Sequence, residues 1–506
     1  MKSLGSNHMI GHRVIALLVV LGLGAAACGG DDPLPEPVPE AAGGAADSSD
    51  ESSESSRSDN ASEADPSTGT EDTTSGGISP FGPAPVSPSG PLDPALEADL
   101  NTLFDSLTTN PDLEAIDRVG ASGDPRAAWL LTDVIRFLRM GEILERTGNA
   151  WESLTDVSIP ADESPWGFTT NHMIAWDVPA PPGYINWKRQ LFELFEPRWA
   201  PLFDDPDATV DWRWVSWGGV YIDDRAIGQT NVGCPQGCIP ALNDPALTSA
   251  SDGSWYPDDS IVFGVVVGDE AVAFPKNIME IHEMVNITIG GRRLGIPYCT
   301  LCGSAQAYFT DDVAPGVDTG GYGAYELRTS GLLSRSNKVM FEFHTMSVID
   351  TFTGEALSGP LREAGAVLSQ TSVRTSTWGD WKAAHPGTRI VAEDGGIGRT
   401  YPRDPLRGRD DDGPIFPIGD VDPRLEVQEP VVGVIAEDGT PVAFPVAVIE
   451  PLTADGASVA FGGVTVASDG AGFTATSEAS GDQLAAHQAF WFAWSQFHTN
   501  TLLFLG

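Results

Sequence analysis

The chain has 506 residues and a formal net charge of −43, from 71 acidic side chains against 28 lysines and arginines. This excess of negative charge argues against binding to nucleic acid and disfavours electrostatic binding to anionic lipids, because both depend on Lys and Arg. The hydrophobic content of 41% is ordinary for a globular protein. Single hydrophobic cores stop growing near about 250–300 residues, so we expect at least two folded units.

Residues 1–28 have the pattern of an export signal. Lys2 and Arg13 precede an apolar run at residues 14–23, which is too short to span a bilayer comfortably. Small residues before Cys28 resemble a bacterial lipobox, although Ala25 stands where Leu is usual. The sequence predicts an exported protein that is anchored on the extracytoplasmic side of the cell membrane by a lipid on Cys28, with plain secretion as the alternative.

Two segments of different composition follow the signal. Residues 29–91 are rich in Ser, Asp, Glu, Gly and Pro, which predicts a disordered acidic tether. Residues 92–157 show apolar side chains at helical spacing and predict a small all-helical subdomain. The next hundred residues are dense in tryptophan, which is typical either of a ligand platform or of bulky core packing.

Residues 158–506 predict a β-rich domain of the α+β class with an internally duplicated strand-turn-helix-strand unit. The first copy spans about residues 260–310 and the second about residues 430–475. Val272-Ala273-Phe274-Pro275 returns as Val442-Ala443-Phe444-Pro445, and each run is followed by a Gly-Gly pair. Polar and reactive side chains occur in the first copy alone, which suggests that the chemistry belongs there; they are His282, Glu283, Asn286, Cys299 and Cys302.

The cysteines of the folded part come in two pairs. Cys234 and Cys238 flank Pro and Gly, so they lie in a turn, and an exported protein favours a disulfide between them. The alternative is a metal site shared with Cys299 and Cys302, whose two-residue spacing serves redox dithiols, structural disulfides and metal knuckles equally.

Candidate partners for the second cysteine pair precede it in sequence. A helix predicted over residues 275–286 carries His282 and Glu283, with Asn286 on the same face as His282. In a metal version, His282, Cys299 and Cys302 hold zinc or copper. In a redox version, Cys299 is the attacking thiol, Cys302 its partner, and Glu283 or His282 the proton acceptor.

Two later stretches also carry histidines. Residues 339–346 alternate as a strand whose Met340, His344 and Met346 face one way, as in a copper-handling surface or a partly exposed sheet. Residues 481–498 predict a C-terminal helix with His487 and His498 along one stripe. The helical rise separates these two by about 16 Å, so they cannot share one ion.

Several motifs together resemble the bacterial family called domain of unknown function 3179, over roughly residues 212–504. They include the run from His282 to Asn286, the segment Tyr298-Cys299-Thr300-Leu301-Cys302-Gly303-Ser304, and Trp378-Gly379-Asp380-Trp381. The family pattern usually has Pro where Thr300 stands. The resemblance implies a domain boundary and a polar site, and it implies no established activity, substrate or cofactor.

Two classes of function therefore stay open, and with them the question whether the chain is an enzyme. The first is an exported lipoprotein with a metal-binding or thiol-redox site at His282, Glu283, Cys299 and Cys302. The second is a non-catalytic module that binds a glycan or a protein of the cell envelope, in which the cysteines are structural.

Overall fold

The computed structural model describes residues 79–229, 234, 237–408 and 413–506. The predicted signal, Cys28 and most of the predicted tether lie outside these residues. Within them, no helix is long and apolar enough to cross a membrane.

The amino-terminal part of the described chain is helical. Its α-helices end at Phe195, and a 3₁₀ segment, Pro197–Phe203, completes this part. The helices are α1 (Pro94–Ser106), α2 (Leu113–Ala121), α3 (Ala128–Phe137), α4 (Glu142–Thr155), α5 (Pro165–Trp176) and α6 (Tyr184–Phe195). The helical part thus continues well beyond residue 157, where the sequence placed its end. Apolar residues surround most of α5, so the segment lacks the one-sided pattern that reveals a surface helix.

The tryptophans of this region pack in its core. Trp129, Trp151 and Trp199 are almost completely buried, and Trp187 is 7% exposed. Trp199 donates a hydrogen bond from Nε1 to the carbonyl oxygen of Ser330, which ties the helices to the β-rich part. Core packing therefore accounts for most of the tryptophan density, and these side chains do not form an exposed ligand platform.

A buried ion pair sits among the helices and yields a stability prediction. Lys188 Nζ lies 2.7 Å from Asp133 Oδ1 and donates to Tyr184 Oη at 3.0 Å. Lys188→Met should lower the free energy of unfolding by about 3–5 kcal/mol, because it leaves the Asp133 carboxylate buried without its cation. Urea denaturation measures the loss, and Lys188→Met/Asp133→Leu should recover part of it. Arg118→Met, which breaks an exposed pair with Asp99, is the control and should cost far less.

The β-rich part begins at Val215 and contains short strands with five further helices. The strands are β1 (Val215–Trp217), β2 (Leu242–Asn243), β3 (Leu247–Ser249), β4 (Ile261–Val267), β5 (Glu270–Pro275), β6 (Met284–Ile289), β7 (Arg292–Cys299), β8 (Ser304–Ala305), β9 (Ala307–Phe309), β10 (Leu327–Ser334), β11 (Asn337–Glu342), β12 (Val348–Ile349), β13 (Gln370–Thr371), β14 (Arg374–Thr377), β15 (Arg389–Val391), β16 (Pro430–Ile435), β17 (Pro441–Pro445), β18 (Ser458–Phe461), β19 (Val464–Ser468), β20 (Phe473–Ser477), β21 (Gln483–Leu484), β22 (Ala486–Phe490) and β23 (Leu502–Leu503). The helices are α7 (Lys276–His282), α8 (Gly359–Glu363), α9 (Trp378–Ala384), α10 (Val446–Thr453) and α11 (Trp491–Phe497).

In the described residues these strands form five small sheets, arranged in a propeller-like ring of five blades. The predicted α+β, β-rich class is confirmed at this level. The sheet orders are β1-β10-β11-β12, then β13-β9-β7-β6-β2 with β8 beside β7, then β14-β4-β5-β15-β3, then β22-β16-β17-β23, and β18-β19-β20-β21.

Two of the sheets share an order and a set of strand directions. In β14-β4-β5-β15 the first three strands are antiparallel neighbours and the last is parallel to β5. The sheet β22-β16-β17-β23 repeats this arrangement. In each sheet, a tryptophan from the helix before the last strand covers a glycine of the second strand, Trp381 over Gly264 and Trp494 over Gly433.

Two helices are shorter than the sequence predicted. The helix expected over residues 275–286 ends at His282, and Asn286 lies on β6, so Asn286 and His282 do not share a helix face. The expected C-terminal helix over residues 481–498 is β22 followed by the short α11. In both cases ladder hydrogen bonds with a neighbouring strand replace the helix, which single-strand periodicity cannot reveal.

Candidate functional site

The two sequence-predicted thiols lie together at the end of β7. Cys299 is the last residue of that strand, and the backbone N–H of Cys302 returns to the Cys299 carbonyl oxygen at 3.2 Å. Gly303 closes the turn with a φ of +58°, a conformation that residues with a side chain rarely adopt. The turn brings the sulfur atoms to 2.8 Å without a bond between them. Cys299 is 2% exposed and Cys302 is completely buried.

The start of β11 covers the thiols from one side. Both sulfur atoms lie near the Ser336 carbonyl oxygen, Cys299 Sγ at 3.8 Å and Cys302 Sγ at 3.6 Å. Cys302 Sγ is also 3.4 Å from Asn337 Oδ1. These neighbours accept weak hydrogen bonds from the thiols and supply no cation, so the positive charge of the site comes from another residue.

That residue is Lys338, which forms an ion pair with Glu283. Glu283 caps the end of α7 in the left-handed conformation, with φ at 50°. Its carboxylate lies 3.2 Å from Lys338 Nζ and accepts a hydrogen bond from Thr300 Oγ1 at 3.3 Å. Lys338 Nζ also donates to the carbonyl oxygens of Glu283 and Tyr298. The pair therefore joins the end of α7 to the cysteine loop.

The surroundings separate the two thiols in acidity. Burial raises the pKa of Cys299 and the Glu283 charge adds to this, but the hydrogen bond from Cys302, the Lys338 backbone N–H and the Lys338 ammonium outweigh them and hold the pKa below its usual value. Burial and the neighbouring Cys299 raise the pKa of Cys302 well above its usual value. Burial lowers the pKa of Lys338. Cys299 is thus the thiol that ionises first.

Cys299 lines a cavity between the helical and β-rich parts, which we call the thiol cleft. Its volume is about 340 Å³, and Glu283, Cys299, Thr300 and Lys338 lie along one side. The helices contribute the opposite side, with Arg136, Arg139 and Trp166. Cys302 does not line the cleft, so the more acidic thiol faces the cavity while its partner lies behind it.

The predicted metal site is not assembled. His282 is the last residue of α7, and the chain reverses at Glu283, so the imidazole and the carboxylate point to different surroundings. His282 Nδ1 is 2.7 Å from the Pro240 carbonyl oxygen and Nε2 is 2.7 Å from Tyr401 Oη. Burial lowers its pKa to about 3, so the ring is neutral. Among the described residues, no group of three or more His, Cys, Asp or Glu side chains is placed to hold a metal ion.

The remaining sequence candidates have structural surroundings. Asn286 binds the backbone of Leu327 through both side-chain atoms and also donates to Glu326, which is a sheet-joining role. His344 follows the end of β11 in a turn closed by Glu342, so the expected Met and His strand face is not formed. His487 is buried against Phe352 and Trp494.

The other cysteine pair is separate from the dithiol. Cys234 and Cys238 lie at disulfide distance, as predicted. The alternative in which these sulfur atoms share a metal with Cys299 and Cys302 has no support in the geometry, because Cys299 and Cys302 contact each other and β11 instead.

Sequence reasoning did not find Lys338 or Arg136. Each is a long cation inside an apolar run, Lys338 before Val339-Met340-Phe341 and Arg136 between Ile135 and Phe137. A charged residue at a position that the pattern turns inward is the signal that could have found them, since buried charges are rare without a function or a partner.

Comparison with known proteins places part of the chain in context. Residues 236–468 match the family model described as Protein of unknown function (DUF3179). The resemblance inferred from the motifs is thus confirmed over this segment, which contains Glu283, both cysteines of the dithiol and Lys338. No curated protein and no solved structure matches the chain.

Proposed function

We propose that Cys299 and Cys302 form a redox-active dithiol, carried by an exported, lipid-anchored protein. The observation that carries the proposal is the asymmetry of the pair. The sulfur atoms are 2.8 Å apart and unbonded, and only Cys299, the more acidic thiol, lines the cleft. Reactive cysteines lie in electropositive surroundings with access to a reactant, whereas structural ones are buried and inert.

The proposed reaction is the reduction of a disulfide. The Cys299 thiolate attacks one sulfur of the substrate, R–S–S–R′, forms a mixed disulfide with R–S and releases R′–S⁻. Cys302 then loses its proton and attacks Cys299 Sγ, which releases R–S⁻ and leaves a Cys299–Cys302 disulfide. Two electrons and two protons leave the dithiol in total. The Glu283 carboxylate, held near the loop by Lys338 and Thr300, is the acceptor proposed for the second proton.

The proposed cellular location rests on the sequence alone. A thiol that cycles between two oxidation states suits the oxidising space outside the cytoplasm, where an exported protein meets disulfides. The tether predicted for residues 29–91 would give such a site reach from the membrane.

We also infer that the two like sheets are copies of one ancestral unit. The shared strand order, the shared parallel last strand and the two Trp–Gly contacts support this. The similarity extends beyond the motif seen in the sequence, because Trp381, His385 and Thr388 recur with the same spacing as Trp494, His498 and Thr501. The dithiol follows the first copy, in keeping with a second copy that serves as scaffold.

A redox titration of protein expressed with its native export signal tests the function. We expect a reversible two-electron transition of Cys299 and Cys302, within the range of about −270 to −120 mV shown by known dithiol oxidoreductases. Cys302→Ser should accumulate a mixed disulfide on Cys299, detected by mass spectrometry, because the resolving thiol is gone. Cys299→Ser is the matched control and should accumulate none.

Two results would contradict the proposal. One is stoichiometric zinc or copper in the purified protein that is lost in Cys299→Ser, which would restore the metal version. The other is a Cys299–Cys302 disulfide that resists dithiothreitol in the folded protein, which would assign the cysteines to structure and favour the binding module.

A further inference from the structure

The thiol cleft contains more positive charge than the dithiol needs. Lys338 is neutralised by Glu283. Arg136 and Arg139 face the same cavity, and no carboxylate pairs with either one in the described part of the chain. Two surplus cations in one cleft are notable in a chain with a net charge of −43.

Arg136 is held in a fixed position by contacts that leave its charge unneutralised. Its Nε donates a hydrogen bond of 2.6 Å to the Trp217 carbonyl oxygen. Its guanidinium carbon lies 4.0 Å from the centre of the Trp166 ring and 5.0 Å from that of Trp217. Trp217 is itself stacked on Phe137. Aromatic faces orient a guanidinium without satisfying its terminal N–H groups, which remain free to bind an anion.

Burial and the charge of Arg139 lower the pKa of Arg136 to about 10, so the side chain is still protonated at neutral pH. A charge that is desolvated and repelled by a second cation costs free energy in the empty cleft. A bound anion would offset that cost, because a guanidinium and a carboxylate or phosphate form charge-assisted hydrogen bonds.

The rest of the cleft is apolar. Its lining includes Trp166, Trp217, Leu301, Leu332, Ile415 and Phe416. A ligand that fills about 340 Å³ therefore needs an apolar body next to its charged group.

From this geometry we infer that the substrate of the dithiol is a small disulfide carrying a carboxylate or similar anion, with Arg136 as the specificity-determining residue. The inference rests on the proposed dithiol function. Arg136 and Arg139 bind the anionic group, the aromatic walls hold the apolar body, and the disulfide lies against Cys299 Sγ.

Two aromatic disulfides test the inference, because they differ in charge. The probe 5,5′-dithiobis(2-nitrobenzoate) carries a carboxylate on each ring, whereas 2,2′-dithiodipyridine is uncharged at neutral pH. Arg136→Met should slow the reaction of Cys299 with the first probe by at least about tenfold, the loss expected for one hydrogen bond to a charged group. The rate with the second probe should stay within about twofold, and Arg136→Lys should recover part of the loss because it keeps the charge.

Two controls separate the possible failures. Arg146→Met removes an exposed arginine that is paired with Glu142 and Asp117, and it should leave both rates unchanged. If wild-type Cys299 reacts with neither probe, the dithiol function fails. If Arg136→Met slows both probes equally, the dithiol stands and the role of Arg136 in selecting anions is overturned.

The sequence contains one further possible partner for the arginines. Asp410, Asp411 and Asp412 lie outside the described residues, between cleft-lining residues Leu406 and Ile415. The variant in which all three are asparagine should show the wild-type preference for the anionic probe. A preference that arises only in this variant would mean that the chain's own carboxylates bind the arginines, and it would overturn the inference.

Discussion

Lys338→Met is expected to slow alkylation of Cys299 at pH 7 by at least about tenfold, since the reactive thiolate fraction falls tenfold for each unit by which the pKa rises. The ammonium of Lys338 is one of the groups that hold the pKa of Cys299 below its usual value. The measurement is the rate of iodoacetamide labelling of Cys299 against pH, followed by mass spectrometry. The midpoint should move to higher pH, and the deficit should shrink once the pH exceeds the raised pKa.

Glu283→Gln gives the opposite prediction and serves as the paired variant. The Glu283 charge raises the pKa of Cys299, so its removal should move the labelling midpoint to lower pH. A purely structural role for the Lys338–Glu283 pair would change the rate at every pH without moving the midpoint. Midpoints that shift in the same direction in both variants would contradict an electrostatic role for the pair.

The same substitutions also affect stability. Lys338→Met leaves the Glu283 carboxylate, whose side chain is 14% exposed, without its cation, and should cost about 3–5 kcal/mol of unfolding free energy. Lys338→Met/Glu283→Gln should regain part of this loss. Labelling must therefore be measured below the unfolding temperature of each variant, so that an exposed thiol in unfolded protein is not counted as reactive.

Gly264→Ala and Gly433→Ala are each expected to destabilise the fold by about 3 kcal/mol, the upper part of the range for overpacked cores. A Cβ at Gly264 would lie 2.1 Å from the Trp381 ring, and one at Gly433 would lie 2.1 Å from the Trp494 ring. Both indoles are almost fully buried, and each Nε1 donates to a threonine in the following segment at 2.9 Å. The rings therefore cannot move aside cheaply.

Gly387→Ala is the control for these two substitutions. A Cβ there would meet no atom within 4 Å, and its backbone does not need the left-handed region. The change should stay within about 0.5 kcal/mol. Thermal or urea denaturation measures all three variants. A Gly433→Ala protein as stable as Gly387→Ala would contradict the packing of Trp494 against the strand.

Part of the site could be read from the chain because its residues are close in sequence. Cys299 and Cys302 are separated by two residues, so a turn between them brings the sulfur atoms together whatever the rest of the fold does. Glu283 was found in the same way, since β6 and β7 form a hairpin that returns the end of α7 to the cysteine loop. The Pro at the end of β5 and the Gly-Gly turn located the elements around them.

The positions of the cations and of the imidazole were decided by the tertiary structure alone. Lys338 comes from β11 and Arg136 from α3, and only the packing of distant elements turns them towards Cys299. His282 is next to Glu283 in sequence, yet the left-handed residue at the helix end directs its ring to Pro240 and Tyr401. Short-range spacing fixes which groups share a loop, whereas a charge buried among apolar residues acquires its partners from segments a hundred or more residues away.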